Sequence, residues 1–162
     1  TRKSTKNVMT TYVRPAVLKD VSAVADRMRT EDINELKAGI GACPKGGLLY
    51  AYFMSKPCLT VVSRHGHLMA MAGVVPEGQT TGRIWLLGCQ SMVDDSIDKR
   101  WFLRHSKQVL AQWQKTYPLL FNVVDARNEV HVKWISWLGF TFIKKHLHWG
   151  TEDRMFYEFV RI

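Results

Sequence analysis

Asp32 and Glu35 stand three residues apart in a stretch, 31–38, that reads as a short helix. Residues at that spacing share one helical face. Two carboxylates side by side can bind an amine or take a proton from it. The same pair also suits a solvated helix face. Cys89 closes the apolar run 83–90. A nucleophilic cysteine needs a base and a lowered pKa; a small buried thiol in the core is the commoner use. Lys99, Arg100 and Arg104 fall in the first turns of a long amphipathic segment. Cations there oppose the helix dipole unless they serve an anion, and Asp94, Asp95 and Asp98 lie among them. His65 and His67 flank a turn with no second ligand pair near them, so no metal site is assigned. His131, His146 and His148 are proton acceptors by type, and their spacing distinguishes none of them.

The elements that must position these groups follow from periodicity. Residues 12–16 form a short strand stopped by Pro15. Asp20 is expected to cap a helix over about 21–29, with Val21, Val24, Ala25 and Met28 on one face. A second helix covers 31–38. Gly39 to Gly47 reads as loop. Strands are expected at 58–63 and 68–75 around a turn at Arg64–His67, and at 83–90, apolar enough to be central. The period then changes to 3.6, giving a long helix between Asp94 and Pro118. A strand at 119–124 follows. Asn128 is placed to cap a helix carrying Val130, Trp134, Trp137 and Leu138 on one face, ended by a left-handed Gly139. Two last strands, 141–147 and 155–160, complete an α/β domain of three layers with a mixed central sheet. Trp101, Trp113, Trp134 and Trp137 sit at core spacing, whereas Trp85 and Trp149 are placed to line a pocket.

The 162 residues suit one domain, expected over 11–162 behind a basic tail at 1–10. A composition 46% hydrophobic and 23% charged excludes wholesale disorder. No apolar run reaches membrane-spanning length, and the first ten residues lack the apolar core of a signal peptide. Three widely spaced cysteines do not make a disulfide framework, which points to a reducing compartment such as the cytoplasm. The net charge of +9 favours an anionic partner: a phosphorylated cofactor, an acidic protein or nucleic acid.

The order of elements resembles the GNAT superfamily of N-acetyltransferases. The resemblance is carried by Val13-Arg14-Pro15-Ala16 followed by Asp20, by the strand 83–90 entering the helix 98–116, and above all by Asn128 and the Leu138-Gly139-Phe140 that ends its helix. Trp85-Leu-Leu-Gly, Trp101-Phe-Leu-Arg-His-Ser, Tyr117-Pro and Asp125-Ala-Arg-Asn128 are similar to small GNAT-like proteins of tailed bacteriophages. The resemblance implies an acyl-CoA-dependent transfer of acetyl to an amine in the host cytoplasm, by direct attack on the thioester. It implies that backbone donors at Leu87, Gly88, Cys89 and Gln90, together with Asn128, Lys99, Arg100 and Arg104, hold acetyl-CoA. Asp32, Glu35, Cys89 and Ser136 are the candidate catalytic groups. Two family features are missing. No glycine lies between Gly88 and Gly139, where a Gly-rich loop ordinarily cradles pyrophosphate. Ile135 stands where the last helix ordinarily carries a Tyr acid. These departures keep two alternatives open: a non-catalytic phage protein that acts by binding, in virion assembly or against a host factor, and a nucleic-acid-binding or modifying protein.

Overall fold

The computed structural model describes residues 9–162; the expected basic tail at 1–10 lies outside them except for its last two residues. Seven strands form one sheet in the order β1-β2-β3-β4-β5-β7-β6. They are β1 (Tyr12–Pro15), β2 (Cys58–Val62), β3 (Leu68–Pro76), β4 (Thr81–Gly88), β5 (Leu119–Asp125), β6 (Thr141–Trp149) and β7 (Arg154–Arg161). Every neighbouring pair is antiparallel except β4 and β5, which are parallel. The helices are α1 (Leu18–Ala25), α2 (Thr30–Ile40), α3 (Pro44–Met54), α4 (Ser91–Asp94), α5 (Ser96–Trp113) and α6 (Glu129–Trp137).

Alternation along β3 and β4 assigns the two faces. Met71 and Leu87 pack with Val21, Val24 and Leu48 of α1 and α3. Val74 and Ile84 point the other way, onto Leu110 and Trp113 of α5 and towards Phe140 and Phe159. The mixed sheet thus carries helices on both faces, as its reading predicts. The strand β6 is an exposed edge, blunted by Lys144 and Lys145.

Local chemistry corrects three expectations. Asp20 is not the N-cap of α1. It sits at the third helical position, where it accepts the Val17 N–H at 2.9 Å, and it also receives Arg14 at 2.7 Å and Thr60 at 2.8 Å. That places a carboxylate 1% exposed at the junction of β1, α1 and β2. Burial pushes Asp20 up, but these donors outweigh it and hold its pKa at about 2. The stretch read as loop contains the start of α3. Cys43 Sγ accepts the Gly46 N–H at 3.3 Å, and Pro44 occupies the first helical position, where its missing N–H costs nothing. Asn128 stands at the N-terminus of α6 without a side-chain capping bond, because its amide is turned into the site.

The end of α6 matches the Leu-Gly-Phe reading. Gly139 has φ +88°, its N–H reaches Ser136 O at 3.1 Å, and the Phe140 N–H reaches Ile135 O at 3.2 Å. This pair of bonds is a Schellman motif. It folds Phe140 back onto Phe159, with ring centroids 5.2 Å apart.

Candidate functional site

The parallel ladder between β4 and β5 is short. Thr81, Gly82 and Arg83 pair with Leu119, Leu120 and Phe121, and no pairing follows. Asn122 closes the fork: its Nδ2 donates to Ile84 O at 2.6 Å. Beyond it the strands diverge, and a cleft of about 790 Å³ passes between them. Trp85 and Leu87 of β4, Val123 and Val124 of β5, Trp101 and Val109 of α5, and Trp134 and Ile135 of α6 line it. Crevices at the carboxyl ends of diverging parallel strands are the usual ligand sites of α/β sheets. Trp149, near the end of the chain, also lines the cleft, as expected from the sequence.

Two carboxylates of α2 bracket the open ends of these strands. Asp32, wholly buried, accepts the Gly88 N–H at the end of β4 at 2.9 Å. Glu35, one turn on, accepts the Asp125 N–H at the end of β5 at 2.7 Å. Asn128 ties them together: its Nδ2 lies 3.0 Å from Asp32 Oδ1 and 3.1 Å from Glu35 Oε2. Buried Arg29 donates to Asp32 at 3.2 Å. His131 brings Nε2 to 3.5 Å from Asp32 Oδ1, and its Nδ1 lies 3.2 Å from the Asn128 amide. Arg127 forks onto Asp125, with its shortest contact at 2.6 Å.

The electrostatics separate the two carboxylates. Asp32 is compensated by a guanidinium and two N–H donors. Glu35 lines the cleft, half-buried and without an ion pair to a cation. That burial, reinforced by the charges of Asp32 and Asp125, raises its pKa to about 8, against the pull of the Asp125 N–H and Asn128. Burial lowers His131, with Arg29 adding to the effect and Asp32 opposing it, so the ring is neutral near pH 7. The ligand atoms of Asp32, Glu35 and His131 lie within 4.8 Å of one another, a spacing a metal could use. The guanidinium and N–H donors already on Asp32 occupy most of the lone pairs an ion would need.

Among the residues expected from the sequence, Asp32, Glu35 and Asn128 come together here, and His131 joins them. Cys89 is 1% exposed in the core against α1, its Sγ 3.8 Å from Val24 O, and burial raises its thiol pKa. Ser136 lies exposed on α6 and does not line the cleft. The Gly88 amide belongs to Asp32, and the Cys89 N–H is bonded to Met69 O at 2.8 Å. Gln90 is exposed and its side chain donates to Asp94 at 3.0 Å. Strand alternation with Ile84 and Gly88 turns the amide of Leu86 into the gap, a donor the sequence does not single out.

No family model and no curated protein sequence matches this chain. Solved structures do. An acetyltransferase of the GNAT family from Bacillus anthracis superposes with a TM-score of 0.66 at 10% identity, covering 96% of each chain. The ribosomal-protein-S18-alanine N-acetyltransferase of Escherichia coli gives 0.65 at 13% identity, over 93% of this chain and 92% of its own. Spermidine N-acetyltransferase from Vibrio cholerae, solved with CoA and spermine, gives 0.64 at 9% identity, over 94% and 95%. The fold is that of the GNAT N-acetyltransferases.

Within this GNAT fold, the strand fork opens into the cleft, and the start of the long helix is taken up by the chain's own side chains. Asp95 caps α5 with its own carboxylate, accepting the Ile97 and Asp98 N–H groups at 3.0 Å each. Asp98, 2% exposed, accepts the Thr11 hydroxyl and the Arg64 N–H. Arg64 also pairs with Asp95 at 3.1 Å. Asp95 and Asp98 therefore serve Arg64 and Thr11 rather than Lys99, Arg100 or Arg104. Arg100 and Arg104 are exposed, and none of these three cations lines the cleft.

Proposed function

We propose that this protein is an N-acyltransferase, moving an acyl group from a pantetheine thioester such as acetyl-CoA to an amine. The observation that carries this reading is the fork between β4 and β5, with Asp32 holding one strand end and Glu35 the other. The donor supplies an activated acyl carbon and a thiol leaving group.

The chain's own groups do the rest. Glu35 accepts the proton of the attacking amine; a pKa of about 8 matches it to a group that must be neutral to attack. Asp32 accepts from Arg29 and the Gly88 amide, and it fixes the Asn128 amide so that one hydrogen bond stays on Glu35. The Leu86 N–H faces the place where negative charge develops on the carbonyl oxygen. Trp85, Trp134 and Ile135 keep water from the reacting atoms. With Ile135 at the position of the usual Tyr, the sulfur departs as a thiolate and takes its proton only once it has left the cleft for solvent.

The similarity of Trp85-Leu-Leu-Gly and Asp125-Ala-Arg-Asn128 to phage sequences supports an origin in a tailed phage acting in the host cytoplasm. The test is product formation. An acetyl thioester and a panel of polyamines, N-terminal peptides and aminoglycosides should give an acylated amine by mass spectrometry. Product from none of them, with the protein folded, would leave the fold acting by binding alone.

A further inference from the structure

The helix start that would ordinarily meet a donor's pyrophosphate is filled from within this chain. A phosphate needs free backbone N–H groups and a positive helix end. Here the Ile97 and Asp98 amides are committed to Asp95 Oδ1 at 3.0 Å. A second carboxylate, Asp98, is buried beside them and held by Thr11 and the Arg64 backbone. The one cation among these groups, Arg64, is spent on Asp95. The backbone N–H of Asp98 and Arg64 at 3.1 Å stabilise the ionised Asp95, so the negative charge persists across the physiological range. Any diphosphate brought here would meet two carboxylates, with the Ile97 and Asp98 amides already bonded.

We infer that the donor is recognised by its pantetheine arm and acyl chain, with no contribution from the nucleotide phosphates at the start of α5. The inference rests on the acyltransferase reading and narrows its donor. Binding must then come from the cleft, whose walls carry Trp85, Trp101, Trp113, Trp134, Val109 and Leu110. Apolar burial scales with chain length at about 0.8 kcal/mol per methylene, or about fourfold in affinity. Affinity should therefore climb with acyl length until the cleft is full.

The experiment is a calorimetric titration of the whole protein with matched acetyl, butyryl and hexanoyl esters of CoA and of pantetheine. The expected result is equal binding of each CoA ester and its pantetheine counterpart, within about threefold. A rise of roughly tenfold or more from acetyl to butyryl, two methylenes on, should accompany it. A CoA ester that binds 30-fold or more tightly than its pantetheine partner would overturn the inference. Loss of that advantage in the Arg100→Ala, Arg104→Ala double variant would hand the phosphates to those cations. Heat from neither series, with the protein shown folded, would sink the acyltransferase reading itself. Asp95→Gly adds an internal control, since glycine tolerates a cap position and frees the two amides. It should create a preference of about fivefold for CoA over pantetheine. A variant that stays folded and still shows no preference would mean the Asp95 carboxylate is not what closes this helix end.

Discussion

Glu35 and Asp32 are the same chemical type, one helical turn apart, and the fold gives them different surroundings. Asp32 is surrounded by donors; Glu35 has no cation bonded to it and keeps its proton to about pH 8. Glu35→Gln should lower the rate of acyl transfer by about 10² to 10³-fold while leaving thioester binding intact. Rates with a saturating thioester, set beside calorimetric binding, check this. The raised pKa also carries a stability cost. The folded state favours the protonated form, so the contribution of Glu35 is greatest below about pH 4.5 and fades as pH rises through 8. Glu35→Gln should therefore be more stable than the parent at pH 9, by about 1–3 kcal/mol with solvent access allowed for, and differ little at pH 4.5. Urea denaturation at the two pH values measures it. Asp20 works in the other sense. Its pKa of about 2 contributes stability above the ordinary carboxylate range that is lost as pH falls towards 2. Asp20→Ala should cost about 3 kcal/mol at pH 7, because Arg14, Thr60 and the Val17 N–H lose their common acceptor.

The element scale shows what periodicity can and cannot reveal. Strands β2 to β5 and the long helix α5 are legible because their apolar runs keep one period from end to end. The turn at Gly139 is legible for the same kind of reason: a left-handed residue after an amphipathic run has few alternatives. Gly139→Val should lower stability by about 1–2 kcal/mol, seen as a drop in Tm of several degrees, because a β-branched residue resists φ +88°. An unchanged Tm would mean the Schellman turn does not hold α6 in place. The helix α3 stayed hidden because Gly46 and Gly47 sit in its first turn and its apolar residues surround it without a clear face; Pro44 after Cys43 was the available signal. Asp32 and Glu35 were visible as a pair on one helix face. Their burial was not, since it depends on β4 and β5 parting above them, a tertiary fact with no local trace. Arg29 belongs to the site through its i,i+3 bond to Asp32, Asp125 through its distant bond to Glu35, and the Leu86 amide through strand alternation.

At the scale of the molecule, one sheet does two things: it packs two helical layers, and it opens at a single fork. The wedge is short because Asn122 ends the β4–β5 ladder and α2 plants a carboxylate on each strand end. The +9 charge does not gather at the helix start, where Arg64 is neutralised and two aspartates are held in place. No helix among the described residues is long and apolar enough to cross a membrane. The proposed role of Glu35 as the base of acyl transfer at this fork is read from the pH dependence of amine-dependent thiol release, measured for the parent protein and for Glu35→Gln at saturating thioester. The parent rate should rise through an apparent pKa of about 8, and the residual rate of the variant should lack that inflection. The same rate and the same profile in both would rule that role out.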